Sequence, residues 1–235
     1  MDPASSPRGK SPVENSCAVL VSGGLDSAIL VGEQLQSGVV VYPLYVRCGL
    51  AWEKAEREYL DRFLQKIRQP GLHSLHTLEL PVGDLYEGHW SVTGKAVPGA
   101  ETEDAAVYLP GRNVILLAKA MIWCRLNHVS AISIAILEAN PFPDATPTFF
   151  RDYQNAVNQA IGGNIRIERP YAGLSKTAVL SRAGNLPLEL TMSCISPVSG
   201  RHCGRCNKCA ERRHAFRMAG IPDPTIYDAE ETCIA

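Results

Sequence analysis

A glycine-rich turn between an apolar segment and a helix-forming segment constrains the fold of this chain more than any other feature. Residues 16–21 are almost entirely apolar, residues 22–27 read Ser-Gly-Gly-Leu-Asp-Ser, and residues 28–36 have helical composition. This order predicts a buried strand, a glycine loop and a helix. Backbone N–H groups and the helix dipole converge on an anion in such a unit, so the loop predicts a phosphate site. The alternative is a tight turn capped by Asp26.

The loop differs from two common nucleotide-binding motifs. No lysine follows its glycines as in the Walker A motif, and their spacing is not that of G-x-G-x-x-G. The sequence therefore favours neither a P-loop NTPase nor a dinucleotide-binding enzyme.

The following residues alternate between predicted strands and predicted helices. Strands are predicted at 39–46, 73–82, 129–137 and 165–167, and helices at 52–68, 110–127, 148–161 and 174–184. Thr148 is the candidate N-cap of the third of these helices. Residues 83–107 lack clear periodicity and are predicted to form a long loop. The pattern predicts an α/β fold with a doubly wound, mainly parallel five-stranded sheet.

Size and charge narrow the class of protein. The 235 residues, 46% of them hydrophobic, suit one main domain with appendages. No apolar run approaches the roughly 20 residues that span a bilayer, so we expect no membrane segment and a cytoplasmic protein.

The charges of the chain nearly balance, with 23 Lys and Arg against 24 Asp and Glu and a formal net charge of -1. We therefore do not expect a nucleic-acid partner. Residues 201–217 are locally basic, however, which favours either a nucleic-acid contact or, more readily, a solvated helix face partly neutralised by the acidic tail.

Four of the eight cysteines are crowded near the end of the chain. Cys194, Cys203, Cys206 and Cys209 have the spacing C-x8-C-x2-C-x2-C. Four thiolates so spaced predict a closed tetrahedral zinc site, and an iron–sulfur cluster is the alternative. His202 would be a neighbour of the metal site or a substitute ligand.

The other cysteines are predicted to be ordinary thiols. Cys17 and Cys124 lie in apolar segments, where buried cysteine is usual. Cys48 precedes Gly49 at a predicted strand end that faces the loop, so a functional role stays open for it.

The glycine loop resembles that of the PP-loop ATP pyrophosphatases, whose S-G-G-x-D-S motif holds the pyrophosphate end of ATP. The resemblance implies an adenine nucleotide alpha-hydrolase-like fold and places adenine near the end of the second strand. The ATP-binding residues that it implies are Leu20, Val21, Ser22, Gly23, Gly24, Leu25, Asp26, Ser27, Tyr45 and Val46.

Together with the cysteines, the loop resembles the QueC family, the 7-cyano-7-deazaguanine synthases of queuosine biosynthesis. Residues 109–113, Leu-Pro-Gly-Arg-Asn, resemble the family's F-V-P-G-R-N, and residues 142–144, Phe-Pro-Asp, resemble its Y-P-D-C. Residues 202–206 resemble its C-G-x-C core. The implied division is a disordered leader at 1–16, a PP-loop domain at 17–190, a zinc knuckle with a helix at 191–219 and an acidic tail at 220–235.

The resemblance also implies a reaction. ATP would adenylate the carboxylate of 7-carboxy-7-deazaguanine, and ammonia would convert it to the amide and then, with more ATP, to the nitrile, releasing AMP- or ADP-type products with pyrophosphate or phosphate. It implies Zn²⁺, Mg²⁺ on the phosphates and a homodimer. The residues to which it assigns roles are Asp26, Arg112 and Lys176 in catalysis, Gly111 and Arg112 at ATP, and Arg47, Phe142 and Asp144 at the substrate.

Each of these roles has a structural alternative. Arg112 would instead pair with a surface carboxylate, Lys176 would be an exposed first-turn residue, and Asp144 would be a turn residue. The chain also departs from the family at residues 46–53, where the G-Q-R-H-like stretch is missing, and at Ala145, where the family has cysteine. The alternative functions are therefore adenylation of another acid, a tRNA or a protein, or a non-catalytic nucleotide-binding module.

Overall fold

The structure is a computed structural model that describes residues 15–228. The predicted leader lies outside the described residues except at its end, where Ser16 already belongs to the first strand. The last seven residues of the predicted acidic tail also lie outside them. The tail's earlier part, residues 220–228, is described and packs on the cysteine region through contacts given below.

Five parallel strands form one sheet in the order β3-β2-β1-β4-β5. They are β1 (Ser16–Leu20), β2 (Val40–Arg47), β3 (His76–Glu79), β4 (Ala131–Ser133) and β5 (Arg166–Glu168). The register of β1 on β2 runs from Ser16 opposite Val40 to Leu20 opposite Leu44. The order reverses between β1 and β4, so the predicted doubly wound α/β fold is confirmed.

Seven α-helices accompany the sheet in the described part of the chain. They are α1 (Leu25–Gln36), α2 (Glu53–Lys66), α3 (Trp90–Thr93), α4 (Arg112–Leu126), α5 (Pro147–Ile161), α6 (Lys176–Leu180) and α7 (Asn207–Ala219). One apolar core lies between the sheet and α1, α2, α6 and α7, and a second lies between the sheet and α4 and α5. Within residues 15–228, no helix has both the length and the apolar character needed to cross a bilayer.

Two local predictions need correction. The N-cap of α5 is Thr146 and not Thr148, because Thr146 Oγ1 accepts a hydrogen bond from the Phe149 N–H at 3.1 Å. Pro147 then occupies the first helical position, where a missing N–H costs nothing.

The loop predicted at 83–107 contains α3 and a 3₁₀ turn at Asp104–Val107. These short elements have too few residues for a periodicity that a sequence pattern can reveal.

The two glycines of the loop have different conformational needs. Gly23 has φ +71°, and a Cβ there would lie 3.0 Å from the backbone oxygen of Glu56. Gly24 has φ -77°, and the nearest atom to a Cβ there would be Ser22 Oγ at 3.4 Å. Only Gly23 is therefore required by both the backbone conformation and the space around it.

We expect Gly23→Ala to lower the free energy of unfolding by about 1–3 kcal/mol, because it adds backbone strain and a contact with a main-chain atom. Gly24→Ala is the matched control and should change it by less than about 1 kcal/mol. Urea unfolding of both variants measures the difference. Equal losses in the two variants would contradict this account of the loop.

Candidate active site and cysteine cluster

A cleft opens beyond the carboxyl ends of β1, β2 and β4, where the strand order reverses. Its first cavity is open to solvent and has about 830 Å³ of empty space, including that at its mouth, between the glycine loop, the end of β2 and the start of α4. Ligands of open α/β sheets bind at this position. The residues predicted for ATP that line it are Leu20, Val21, Ser22, Gly24, Asp26, Ser27, Tyr45, Val46 and Arg112.

Two further cavities join the first at the side chains of Asp26 and Arg112. The second, of about 750 Å³, adds Leu25 of the loop and the indoles of Trp52 and Trp90. The third, of about 1240 Å³, is lined by the predicted substrate residues Phe142 and Asp144. Lys176 borders both. Two of the predicted nucleotide residues lie just outside these walls: Gly23 faces Glu56, and Gly111 is the N-cap of α4.

The side chain of Asp26 is aimed at the cleft and does not cap α1. The N-cap of α1 is Gly24, which makes no side-chain capping bond, so the alternative of a turn capped by Asp26 is wrong. The two loop serines organise the turn instead, since Ser27 Oγ accepts from the Ser22 N–H at 3.2 Å and donates to the Gly24 carbonyl. Asp26 Oδ1 is buried and has no hydrogen-bond partner among the described residues. Such an atom calls for a partner from a ligand.

A chain of alternating charges crosses the cleft. Lys176 Nζ lies 2.6 Å from Asp26 Oδ2 and 3.2 Å from Glu211 Oε1, and Lys208 Nζ lies 2.5 Å from Glu211 Oε2. Burial alone would lower the pKa of Lys176, but the carboxylates of Asp26 and Glu211 outweigh it and raise that pKa. Burial likewise opposes ionisation of Glu211, yet the two ammonium groups lower its pKa to about 2. Lys176 and Glu211 are therefore charged at neutral pH. The side chain of Lys176 is 23% exposed, so Lys176 is not the exposed first-turn residue of the alternative interpretation.

The wall near the end of β2 carries a buried carboxyl group. Glu56 Oε2 accepts a hydrogen bond from the hydroxyl of Tyr45 at 2.7 Å. Burial raises the pKa of Glu56 to about 7, although Tyr45 and Arg112 partly oppose the shift. Burial also raises the pKa of Cys48 to about 11, so this thiol stays protonated and is not a ready nucleophile. Glu53 fixes the neighbouring backbone by accepting from the Cys48 N–H at 2.6 Å.

The three predicted substrate residues do not lie together. The ring of Phe142 stacks on Tyr108 with centroids 4.8 Å apart. Asp144 is buried, and one of its oxygens accepts from the Asn113 N–H at 2.9 Å, which anchors it at the start of α4. Arg47 is exposed, and its guanidinium lies 3.4 Å from both Glu53 and Glu79 on the wall of a separate cavity. The structure therefore does not bring Arg47 to the joined cavities.

Sequence reasoning missed five charged residues of the cleft. The residues that line the joined cavities are Glu53 and Glu56 on α2, Asp104 in the 3₁₀ turn, and Lys208 and Glu211 on α7. A signal existed for Glu211, since it is the one acidic residue in the basic segment 201–217. Glu56 gave no comparable signal, because α2 carries many charges and only packing shows which of them is buried.

The four clustered cysteines lie together at the start of α7. Their Sγ atoms are all within 4.8 Å of one another, with 3.8 Å between Cys194 and Cys206 and 4.0 Å between Cys203 and Cys209. Tetrahedral Zn–S bonds of about 2.3 Å place thiolates about 3.8 Å apart. A cluster of several irons would hold its ligands farther apart. The spacing therefore suits a single tetrahedral metal ion.

Backbone N–H groups point at these sulfurs. The N–H groups of Ser196 and Cys203 lie 3.3 Å from Cys194 Sγ, and those of Arg205 and Cys206 lie 3.3 Å from Cys203 Sγ. Such donors stabilise thiolate charge around a metal. His202 Nε2 accepts instead from the Ser193 N–H at 3.1 Å, so His202 is a neighbour of the cluster and not a fifth member.

The basic segment is largely engaged within the molecule. Arg212 is buried, and its guanidinium donates to the Leu188 carbonyl and the Thr191 hydroxyl and lies 3.8 Å from Asp223 of the tail. Arg201 lies 3.2 Å from Asp228. The tail thus pairs with the basic segment 201–217 as expected. Arg212, however, is a buried residue that holds parts of the chain together and is not part of a solvated helix face.

Comparisons with known proteins agree with this geometry. A family profile described as "Queuosine biosynthesis protein QueC" matches residues 16–220. The 7-cyano-7-deazaguanine synthase 1 of Mesorhizobium japonicum is 33% identical over 224 residues, which cover 89% of this chain and 92% of that protein. The 7-cyano-7-deazaguanine synthase of Thiobacillus denitrificans is 30% identical over 223 residues, which cover 90% of this chain and 98% of that protein. A solved complex of a 4-thiouridine synthetase with RNA and bound ATP shares the fold, with a TM-score of 0.50, 14% identity, and coverage of 89% of this chain and 52% of that one.

We expect the stability cost of Glu56 to grow with pH. Its pKa rises from 4.5 to about 7 on folding, so the folded state binds a proton that the unfolded state has lost across that interval. The free energy of unfolding of the unsubstituted protein should fall by up to about 3 kcal/mol between pH 4.5 and 7, relative to that of the Glu56→Gln variant. Urea unfolding of both proteins at several pH values measures this. A difference in unfolding free energy that does not change with pH would contradict the assigned burial.

We expect Cys206→Ser to lose its bound metal and to melt about 10 °C lower, since metal affinity is coupled to folding in such sites. Elemental analysis and thermal unfolding are the measurements. Cys17→Ser, in β1 and far from the cluster along the chain, is the control and should keep the metal. A Cys206→Ser protein with full metal content and unchanged Tm would show that Cys206 does not hold the metal and would contradict the four-cysteine site.

Proposed function

The chain belongs to the QueC family of queuosine biosynthesis proteins, and we propose that it converts 7-carboxy-7-deazaguanine to 7-cyano-7-deazaguanine with ATP and ammonia. It is an enzyme of the ATP-dependent ligase type. The observation that carries the proposal is the meeting of three cavities at Asp26 and Arg112, because a phosphate loop and an aromatic pocket with a buried carboxylate open onto the same two side chains.

The walls of the cleft support the proposed positions of the two substrates. ATP lies with adenine in the first cavity, near Tyr45 and Val46, and with its phosphates on the N–H groups of the loop. The deazapurine lies in the third cavity against Phe142 and Asp144. A carboxylate is a suitable acceptor for a ring N–H and an amino group. The acid and the α-phosphate then meet near Arg112.

In the proposed reaction, a carboxylate oxygen of the acid attacks the α-phosphorus of ATP and pyrophosphate leaves. Ammonia displaces AMP to give the amide, with loss of a proton. The amide oxygen attacks the α-phosphorus of a second ATP and pyrophosphate leaves; loss of AMP and of both amide protons then leaves the nitrile. Arg112 and Lys176 stabilise the negative charge that develops on the phosphates, which is the main task in such chemistry. Lys176 is held for it by Asp26 and Glu211.

The proposed cofactors suit the residues present. Asp26 Oδ1 is buried without a partner, and a carboxylate oxygen is the ligand that Mg²⁺ prefers. Asp26 would hold this ion, which neutralises phosphate charge when bound. The four cysteines would hold Zn²⁺, whose role at a site closed by four thiolates is to stabilise the fold. The cytoplasmic location, the use of ammonia and the homodimer remain predictions.

A related function on another acceptor is supported by one observation. The segment that departs from the family contributes Trp52 to the second cavity, where its ring stacks on Trp90 with centroids 5.6 Å apart. This pair gives the cleft an aromatic wall that the predicted substrate residues do not use. Adenylation of a different acid, or of a protein or tRNA acceptor, is the alternative that the experiment must distinguish.

The protein is incubated with ATP, Mg²⁺, ammonium and 7-carboxy-7-deazaguanine, and products are identified by mass spectrometry. We expect nitrile, and AMP whose formation depends on both the acid and ammonium. Asp26→Asn should lower turnover at least about 100-fold, since it removes the charge that pairs with Lys176. Lys66→Gln, at the exposed end of α2, is the control.

Other outcomes are informative in different ways. Amide without nitrile would show that the second dehydration fails in this chain. ATP binding without either product would reject the proposed substrate and direct the search to other acceptors. Full activity of Asp26→Asn would reject the assigned catalytic site.

A further inference from the structure

The helix that begins at the cysteine cluster brings a lysine into the cleft. Cys206 is the N-cap of α7 and Cys209 lies in its first turn, so Lys208 stands between two members of the cluster. Lys208 lines the second and third cavities, together with Asp26, Arg112 and Lys176. A metal bound by the cysteines would fix the backbone on both sides of this residue.

Most other cations of the basic segment, residues 201–217, are directed away from the cleft. Arg212 is buried against Leu188 and Thr191, and Arg213 donates to the Gly204 carbonyl. Arg201 pairs with the tail. Lys208 is therefore the cation of this segment that the fold directs to the cleft.

The two lysines of the charge chain differ in how firmly they are held. Lys176 has two carboxylates within ion-pair distance, whereas Lys208 has one among the described residues, Glu211. An ammonium group has three donors, and the side chain of Lys208 is 30% exposed. Lys208 can therefore turn from Glu211 to a stronger anion without leaving its place on α7.

The position of Lys208 selects the part of the ligand that it can reach. It borders the second cavity, which contains Gly24, Leu25 and Asp26 at the start of α1, and the third cavity, which contains Asp26. It does not border the first cavity, which extends from Gly24 and Asp26 to Tyr45 and Val46 at the end of β2. On the proposed function, on which this inference rests, the start of α1 holds the terminal phosphates and the first cavity holds adenosine.

We propose that Lys208 binds the pyrophosphate portion of ATP, and that Glu211 is the carboxylate with which it pairs until that anion competes for it. No contact of Lys208 with the adenosine portion is expected. Lys208 thus joins the cysteine cluster to the leaving group of the reaction through one short helical turn.

The test is calorimetric titration of the full-length, metal-loaded protein with pyrophosphate and with AMP, each in Mg²⁺. We expect Lys208→Gln to bind pyrophosphate about tenfold more weakly and AMP unchanged, because one charge-assisted contact is lost. Lys208→Arg should recover most of the affinity. Lys66→Gln is the control for a lost surface charge. Metal content is measured for each variant, so that a disturbed cluster is recognised.

Glu211→Gln provides a second line of evidence that leaves the segment between the cysteines intact. It removes the competitor for Lys208 and should tighten pyrophosphate binding several-fold, and this gain should vanish when it is combined with Lys208→Gln. Unchanged or weaker binding by Glu211→Gln would count against the proposal.

The inference and the proposed function fail in different ways. If the parent binds pyrophosphate and metal-loaded Lys208→Gln binds it equally well, the inference is overturned and the proposed function stands. If the parent binds neither ATP nor pyrophosphate, both are overturned.

Discussion

The ammonium of Lys176 lies between the carboxylates of Asp26 and Glu211, and the geometry of the cleft depends on this contact. It ties together the turn after β1, the start of α6 and the middle of α7, three elements that are distant in the chain. Partial burial strengthens the attraction while it penalises any one of these charges left alone. The contact therefore stabilises the assembled cleft mainly because separation of the three elements would leave partly buried charges without partners.

The cysteine cluster and the cleft form one continuous structure. Helix α7, whose N-cap is Cys206, carries Glu211 to Lys176. The buried guanidinium of Arg212 fixes that helix to residues 188–193 and to Asp223 of the tail. A third apolar cluster packs the cysteines against Trp52 and Leu109, which also border the cleft. Disturbance of the cluster is therefore expected to reach the phosphate site through packing as well as through charge.

Much of this architecture can be predicted from sequence because it depends on local patterns. The apolar run, the two glycines and the helix that follows determine the first βα unit, and four closely spaced cysteines determine the cluster. The prediction of Thr148 as the N-cap of α5 was wrong because it placed Pro147 before the helix, whereas a proline suits the first helical position and makes Thr146 the cap.

Charges in the cleft were predictable only where a motif contained them. Asp26, Arg112 and Lys176 belong to motif-like segments and do line the cleft, whereas Arg47 faces another cavity and Glu56, Lys208 and Glu211 gave no motif. Whether a charged residue on a helix is solvated or enclosed depends on the rotation of the helix and on what covers it. Tertiary packing determines the rotation of the helix and its cover, and a local sequence pattern contains no information on either.

The sequence distance between the two ends of the charge chain has a consequence for biosynthesis. Asp26 and Lys176 are 150 residues apart, and Glu211 comes later still. Residues synthesised early can collapse into strands and helices on the ribosome, but the Asp26 carboxylate meets its partners only after residues 176 and 211 have been synthesised. The sheet can therefore form during synthesis before the charges of the cleft are paired.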